Sequence, residues 1–215
     1  MAFREAHECV AHFQEVGDKF DRRLDLMFMP RFSDSPGAWR NQQLARAINI
    51  RPFAASDARP VEELFITVNR GLSPPHLREA FEEYIARSLT EEIRRIADYY
   101  GERHGGFWVA LEGTRIIGTF GLERTTGDAM ELRRMYVDPS VRRAGVARQM
   151  LQYAEDECRR RNIARLELST SELQREALAF YRNAGFKFLR EEIAEESTNK
   201  TVGQGIRRYY FEKAL

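Results

Sequence analysis

Residues 131–160 constrain this chain more than any other stretch. Glu131-Leu132-Arg133-Arg134-Met135-Tyr136-Val137 reads as a strand and stops at Asp138-Pro139. A short basic run follows, Val141-Arg142-Arg143-Ala144-Gly145-Val146-Ala147-Arg148-Gln149. Behind it, Ala147, Leu151, Ala154 and Cys158 fall on one stripe at helical spacing. Strand, basic glycine loop and helix, in that order, suit an anion. The first turn of a helix carries unpaired N–H groups and a partial positive charge. Arg142 and Arg143 add full charges, and Gly145 lets the backbone approach a ligand closely. Taken alone, the stretch also admits a structural turn with two solvated arginines.

The lone Gly145 fits neither the dinucleotide-binding nor the P-loop glycine spacing. What it does fit is a pattern of Gln or Arg, two residues, Gly, one residue, then Gly or Ala, here Arg142-x-x-Gly145-x-Ala147. That pattern resembles the acyl-CoA signature of the GNAT N-acetyltransferases, as does the preceding Tyr136-Val137-x-Pro139. A second family element, Ala177-Leu178-Ala179-Phe180-Tyr181-x-x-x-Gly185-Phe186, lies farther along the chain. Two elements in order resemble the family far better than the loop does by itself.

Charge and cysteine use narrow the remaining classes. Lys and Arg number 34 against 33 Asp and Glu, a formal net charge of +1, so no global field argues for nucleic acid or an acidic membrane. Cys9 and Cys158 cannot make a disulfide framework, which predicts a reducing, cytoplasmic setting. Neither a charged-then-apolar leader nor an apolar run of bilayer length is found, and a soluble protein is expected. His7 and His12 are five apart, and His76 and His104 stand alone, so no metal site is expected. Cys158 sits on an apolar stripe and reads as core rather than nucleophile.

Residues 1–46 read as a helical extension and linker, and residues 47–215 as the domain. Phe3, Ala6, Val10, Phe13, Phe20, Leu24 and Met27 make a helical stripe that faces either this domain or a partner, a possible homodimer contact. Pro30, Ser33, Asp34, Ser35, Pro36 and Gly37 mark the linker. Ile48-Asn49-Ile50-Arg51-Pro52-Phe53 alternates as a first strand, and Ser56 or Asp57 can cap the helix bearing Val61, Leu64, Phe65 and Val68. One helical stripe then runs through Phe81, Ile85, Leu89, Ile93, Ile96 and Tyr100. Strands at 107–111 and 115–122 flank a turn at Glu112-Gly113, and the strand at 131–137 follows. After the glycine-loop helix come a strand at 165–170, the Tyr181 helix, strands at 186–189 and 206–213, and between those two a polar loop. This order is α/β around one mixed sheet flanked by helices, and it matches the GNAT acyl-CoA N-acyltransferase fold over nearly all of residues 47–215.

The resemblance implies where each part of the chemistry sits. The donor is acetyl-CoA, used as a substrate, with no metal. Its pantetheine arm is expected in a notch beside a bulged strand, against backbone of Met135, Tyr136 and Val137. Its pyrophosphate is expected on the loop of Arg142, Arg143, Ala144, Gly145, Val146, Ala147 and Arg148. Many relatives carry glycine where Arg143 stands; an arginine held there at positive φ costs about 1 kcal/mol. Gln174 stands where relatives have an asparagine that touches the cofactor. Tyr181 is the expected general acid, because a phenol of pKa about 10 is matched to a departing thiolate. Glu131 aligns with the family's base and reads as a water-relayed base or a cation anchor, or else as a strand glutamate paired with an arginine.

Residues 168–187 resemble the branch that makes N-acetylaspartate and acetylated cysteine conjugates. The acceptor expected is a small primary amine, an amino acid or derivative, attacked directly in a ternary complex. A peptide acceptor and a non-catalytic acyl-CoA-binding module are the alternatives. Arg133 and Arg134 can fork a substrate carboxylate, or else face solvent or pair with Glu131 or Glu167. Plain strand alternation places Arg133 with Glu131 and Arg134 opposite, unless a bulge intervenes.

Overall fold

The structure, a computed structural model, describes residues 48–125 and 127–215. The N-terminal stripe, the linker, His7, Cys9 and His12 lie outside the described residues. Seven strands form one mixed sheet: β1 (Ile48–Pro52), β2 (Gly106–Glu112), β3 (Arg115–Arg124), β4 (Ala129–Val137), β5 (Arg165–Ser171), β6 (Lys187–Ala194) and β7 (Ile206–Ala214). Their order is β1-β2-β3-β4-β5-β7-β6, with β4 and β5 parallel and the other neighbours antiparallel. Helices α1 (Ala58–Leu72), α2 (Arg78–Glu91) and α3 (Ile96–Gly101) lie between β1 and β2. Helix α4 (Val146–Arg160) joins β4 to β5, and α5 (Arg175–Asn183) joins β5 to β6. The expected element order is present.

Alternation along the strands sorts side chains onto two faces. Trp108, Ala110, Leu132, Leu166, Leu168 and Phe211 pack with Met150, Ala154 and Cys158 of α4 and with Tyr181 of α5. Phe107, Val109 and Leu111 point the other way, onto Val61 of α1 and Ile96, Tyr99 and Tyr100 of α3. Asp57 does not cap α1 through its side chain; it accepts from Ala54 N at 2.8 Å and takes the Arg51 guanidinium at 2.6 Å.

Two departures from regularity shape the middle of the sheet. The single stripe expected from Phe81 to Tyr100 is broken: α2 ends at Glu91, a 3-10 turn spans Ile93–Arg95, and α3 follows. The break turns Glu92 inward, where it is completely buried. Tyr100 reaches the same spot because β3 has no side chain at Gly121; a Cβ there would fall 2.4 Å from the Tyr100 hydroxyl oxygen. The second departure is in β4. Thr119 pairs with Tyr136 and Gly121 with Arg133, so Arg134 and Met135 stand against Phe120 alone, a β-bulge. Arg134 has φ +51°, and its carbonyl accepts from Thr119 Oγ1 at 3.0 Å.

Strand β6 runs farther than residues 186–189. Its eight residues form the last strand of the sheet, beyond β7, and Arg190, Glu191 and Glu192 stay exposed along it. Charge at a sheet edge is compatible with a strand, because only one side must pair.

Candidate active site

Strand β4 pairs with β5 from Ala129↔Arg165 to Leu132↔Leu168, and there the pairing ends although both strands continue. The bulge bends β4 away, and a notch opens through the sheet. Met135, Tyr136, Ser169, Thr170, Gln174 and Tyr181 are among its lining residues. Backbone of 133–137 on the β5 side therefore has no strand partner there, which is the property an extended ligand arm needs.

Past β4, Asp138 accepts from Ser140 N at 2.8 Å and starts a 3-10 turn, Pro139–Val141, that leads into the basic loop. Arg142, Arg143, Ala144 and Gly145 are all exposed, Val146 is buried as an anchor, and Ala147 is half-buried. Gly145 is the N-cap of α4 at φ +80°, with no side-chain cap, so the first-turn N–H groups face outward. Arg143 has φ +65°, so the strain expected of an arginine in the left-handed region is present. Arg142 lies 4.0 Å from Glu176, both exposed, a contact of little energy. An uncapped helix start, an αL glycine with open space beyond it and two exposed arginines fit a pyrophosphate.

Helix α5 sets Tyr181 into the notch from the α4 side. Phe180 and Phe186 pack edge-on against its ring, and its hydroxyl lies 3.7 Å from Met135 Sδ. Burial and then Tyr136 push its pKa up, so the phenol stays protonated. Gln174 is the N-cap of α5; its Oε1 accepts from Thr170 Oγ1 at 2.8 Å, so its carboxamide lines the notch braced by β5. Cys158 lies in the core under α4, and burial pushes its thiol up to about 12. No cysteine or histidine lines the notch among the described residues.

The other side of the notch is charged. Because of the bulge, Arg134 does not oppose Arg133; both side chains enter one buried cluster. Arg134 forks Glu92, Nε to Oε1 at 2.9 Å and Nη2 to Oε2 at 2.6 Å. It also donates to Tyr84 Oη at 2.6 Å and to the Asn199 carbonyl at 2.5 Å. Arg133 donates to Glu92 at 2.9 Å, to Glu123 at 2.8 Å and to Tyr99 Oη at 2.5 Å. Tyr100 Oη donates to Glu92 at 2.7 Å. Neither arginine faces solvent, and neither pairs with Glu131 or Glu167. Glu131 is held by Lys200, whose Nζ lies 2.6 Å from it and 2.6 Å from Glu123. Burial alone would raise the Glu123 carboxyl, but Arg133 and then Lys200 hold it at about 2.

Sequence reasoning missed Glu92, Glu123 and Lys200. A glutamate inside an amphipathic helical run reads as solvated, and Lys200 lies in a polar loop. Only Tyr84, Tyr99 and Tyr100, which crowd the run at 84–100, hinted at buried polar partners there.

Comparison with known proteins agrees with this geometry. The Acetyltransferase (GNAT) family model matches residues 75–186. N-acetyltransferase 8 of Homo sapiens is 28% identical over 120 residues, 51% of this chain and 51% of that protein. The chain spans about half the length of the curated relatives it matches. A GNAT-family acetyltransferase of Staphylococcus aureus has a TM-score of 0.62 at 23% identity, covering 79% of this chain and 99% of its own. The PaiA N-acetyltransferase of Thermoplasma acidophilum, solved in complex with coenzyme A, has a TM-score of 0.57 at 20% identity, with 79% and 99% covered. No helix among the described residues is long and apolar enough to cross a membrane. On its sequence match and its fold alike, the chain belongs to the GNAT acetyltransferase family.

Proposed function

We propose that the protein is an acetyl-CoA-dependent N-acetyltransferase whose acceptor is the primary amine of a small molecule, an amino acid or derivative. The observation that carries this reading is the notch itself. It is flanked at one end by an anion-binding helix start, holds a buried, protonated tyrosine, and opens on the other face beside a carboxylate. Acetyl-CoA lies with its pyrophosphate on 143–147 and its thioester between Met135 and Tyr181. The amine nitrogen attacks the thioester carbonyl, the C–S bond breaks, and the Tyr181 hydroxyl protonates the thiolate. The amine's proton leaves toward Glu131. Lys200 occupies Oε2 of Glu131, and Oε1 has no hydrogen bond to a described residue, so it is available to hold a relaying water.

A small acceptor is favoured by the loop between β6 and β7. Its Asn199 carbonyl is fastened to Arg134 at 2.5 Å, its Lys200 to Glu123 and Glu131, and Arg208 holds the Lys200 carbonyl at 2.5 Å. A loop fastened at these points narrows the acceptor side, which favours a small molecule over an extended peptide. The test is thiol release from acetyl-CoA against free amines, amino acids and peptides. Turnover with small amines is expected. Turnover with peptides alone would replace this acceptor with a peptide, and coenzyme A binding without turnover on any amine would leave only a binding module.

A further inference from the structure

Four cations line the acceptor cavity, Arg133, Arg134, Lys200 and Arg208. Arg133, Arg134 and Lys200 are matched by Glu92, Glu123 and Glu131, each within ion-pair distance. Arg208 of β7 is the cation left over. Its guanidinium donates to the Lys200 carbonyl at 2.5 Å and to the Ser169 hydroxyl and also meets the Tyr210 hydroxyl; Glu192 feels its charge, but no described carboxylate is ion-paired with it within 4.0 Å. Glu192 registers opposite it on β6 but is taken by Arg190 at 2.7 Å. Register places Arg208 beside Ser171 of β5, at the mouth of the notch, and it lines the same cavity as Glu131 and Tyr181.

We propose that Arg208 is the specificity-determining residue that binds an acid group, a carboxylate, on the acceptor. This deepens the proposed function and rests on it. An arginine half-buried against a neutral carbonyl and hydroxyls, with no carboxylate ion-paired to it, keeps part of its fork for an incoming anion. Arg133 and Arg134, which the sequence offers for the same task, are already neutralised by Glu92 and Glu123. With the acid group on Arg208, the α-amine of an amino acid is directed back toward Glu131 and the thioester.

The full chain is assayed with acetyl-CoA and a panel of free amino acids, each matched with its amide. The wild-type protein is expected to prefer the acid by about tenfold or more in kcat/KM. Arg208→Gln should bring that ratio near one by raising KM for the acids about tenfold more than for the amides, with the KM for acetyl-CoA unchanged. Arg208→Lys should restore part of the preference as a point charge, and Lys187→Gln, at an exposed position on the neighbouring edge strand, should not alter it. Amides used as well as acids by the wild-type protein would overturn the anchor while the acetyltransferase reading stands. The same holds if the acid preference survives Arg208→Gln. If the wild-type protein acetylates neither acids nor amides, the anchor and the small-amine reading fall together.

Discussion

The acid role proposed for Tyr181 rests on surroundings that do little except keep it neutral and aimed. Two phenylalanines fix the ring, Met135 Sδ is the hydroxyl's only described neighbour within hydrogen-bonding reach, and burial holds the proton on. A strongly hydrogen-bonded phenol would have to break that bond to serve a thiolate, and this one does not. Tyr181→Phe should therefore lower kcat by about 10²–10⁴-fold with little change in KM for acetyl-CoA. Steady-state kinetics at saturating acceptor checks it, and a loss under about threefold with chemistry rate-limiting would reduce Tyr181 to packing. Gly145 offers a complementary test of the donor site. A Cβ added there meets nothing within 4 Å, so Gly145→Glu should fold, at a left-handed strain of about 1 kcal/mol. Its carboxylate would stand at the uncapped start of α4, where the pyrophosphate belongs. Calorimetry should show coenzyme A affinity lost with the fold intact, and unchanged affinity would move the phosphate site elsewhere.

At the scale of elements, local signals were legible and buried electrostatics were not. The strand, glycine loop and helix of 129–160, and the Tyr181 helix, could be read because each carries its own periodicity and start signal. The break at Glu92 could not, since the apolar stripe continues through it and no glycine or proline marks it. The bulge was expected only from family resemblance; Arg134 at positive φ carries no local signal. What holds both irregularities is the pairing of Arg133 and Arg134 with Glu92, 41 residues or more away in sequence for each arginine. Breaking such a buried set typically costs about 3–5 kcal/mol. The loop between β6 and β7 is fastened to this cluster through Glu123, and that makes the attachment sensitive to acid. Glu123 is held at about 2 against an ordinary value of 4.5. With its folded value depressed, its contribution is present above the ordinary value and is lost as pH falls through the folded one. Hydrogen exchange in residues 195–205 should thus rise between about pH 4.5 and pH 2, and in Lys200→Gln it should already be high at neutral pH. Equal protection of this loop in Lys200→Gln and wild type would show that the ion pairs do not hold it.

Across the described residues, the sheet acts as a partition through which the notch opens. Helices α4 and α5 cover one face, bringing the helix start and Tyr181; α1 to α3 and the β6–β7 loop occupy the other, bringing Glu131 and Arg208. On the proposed reading, donor and acceptor approach the notch from opposite sides, and neither blocks the other's path. Within the notch, the described lining offers no thiol or imidazole to carry the acetyl group between them. Cys158 is buried in the core with its thiol pushed up to about 12, and no cysteine or histidine lines the opening among the described residues. Direct transfer in a ternary complex is the route we propose, whereas a covalent acetyl-enzyme would need an activated nucleophile. Initial rates over a matrix of acetyl-CoA and acceptor concentrations should give intersecting double-reciprocal lines, with coenzyme A inhibiting competitively against acetyl-CoA. Intact mass after mixing with acetyl-CoA alone should show no added acetyl group. Parallel lines, together with an acetylated protein that passes its acetyl group to amine on a chase, would reject direct transfer and place the nucleophile outside the residues described.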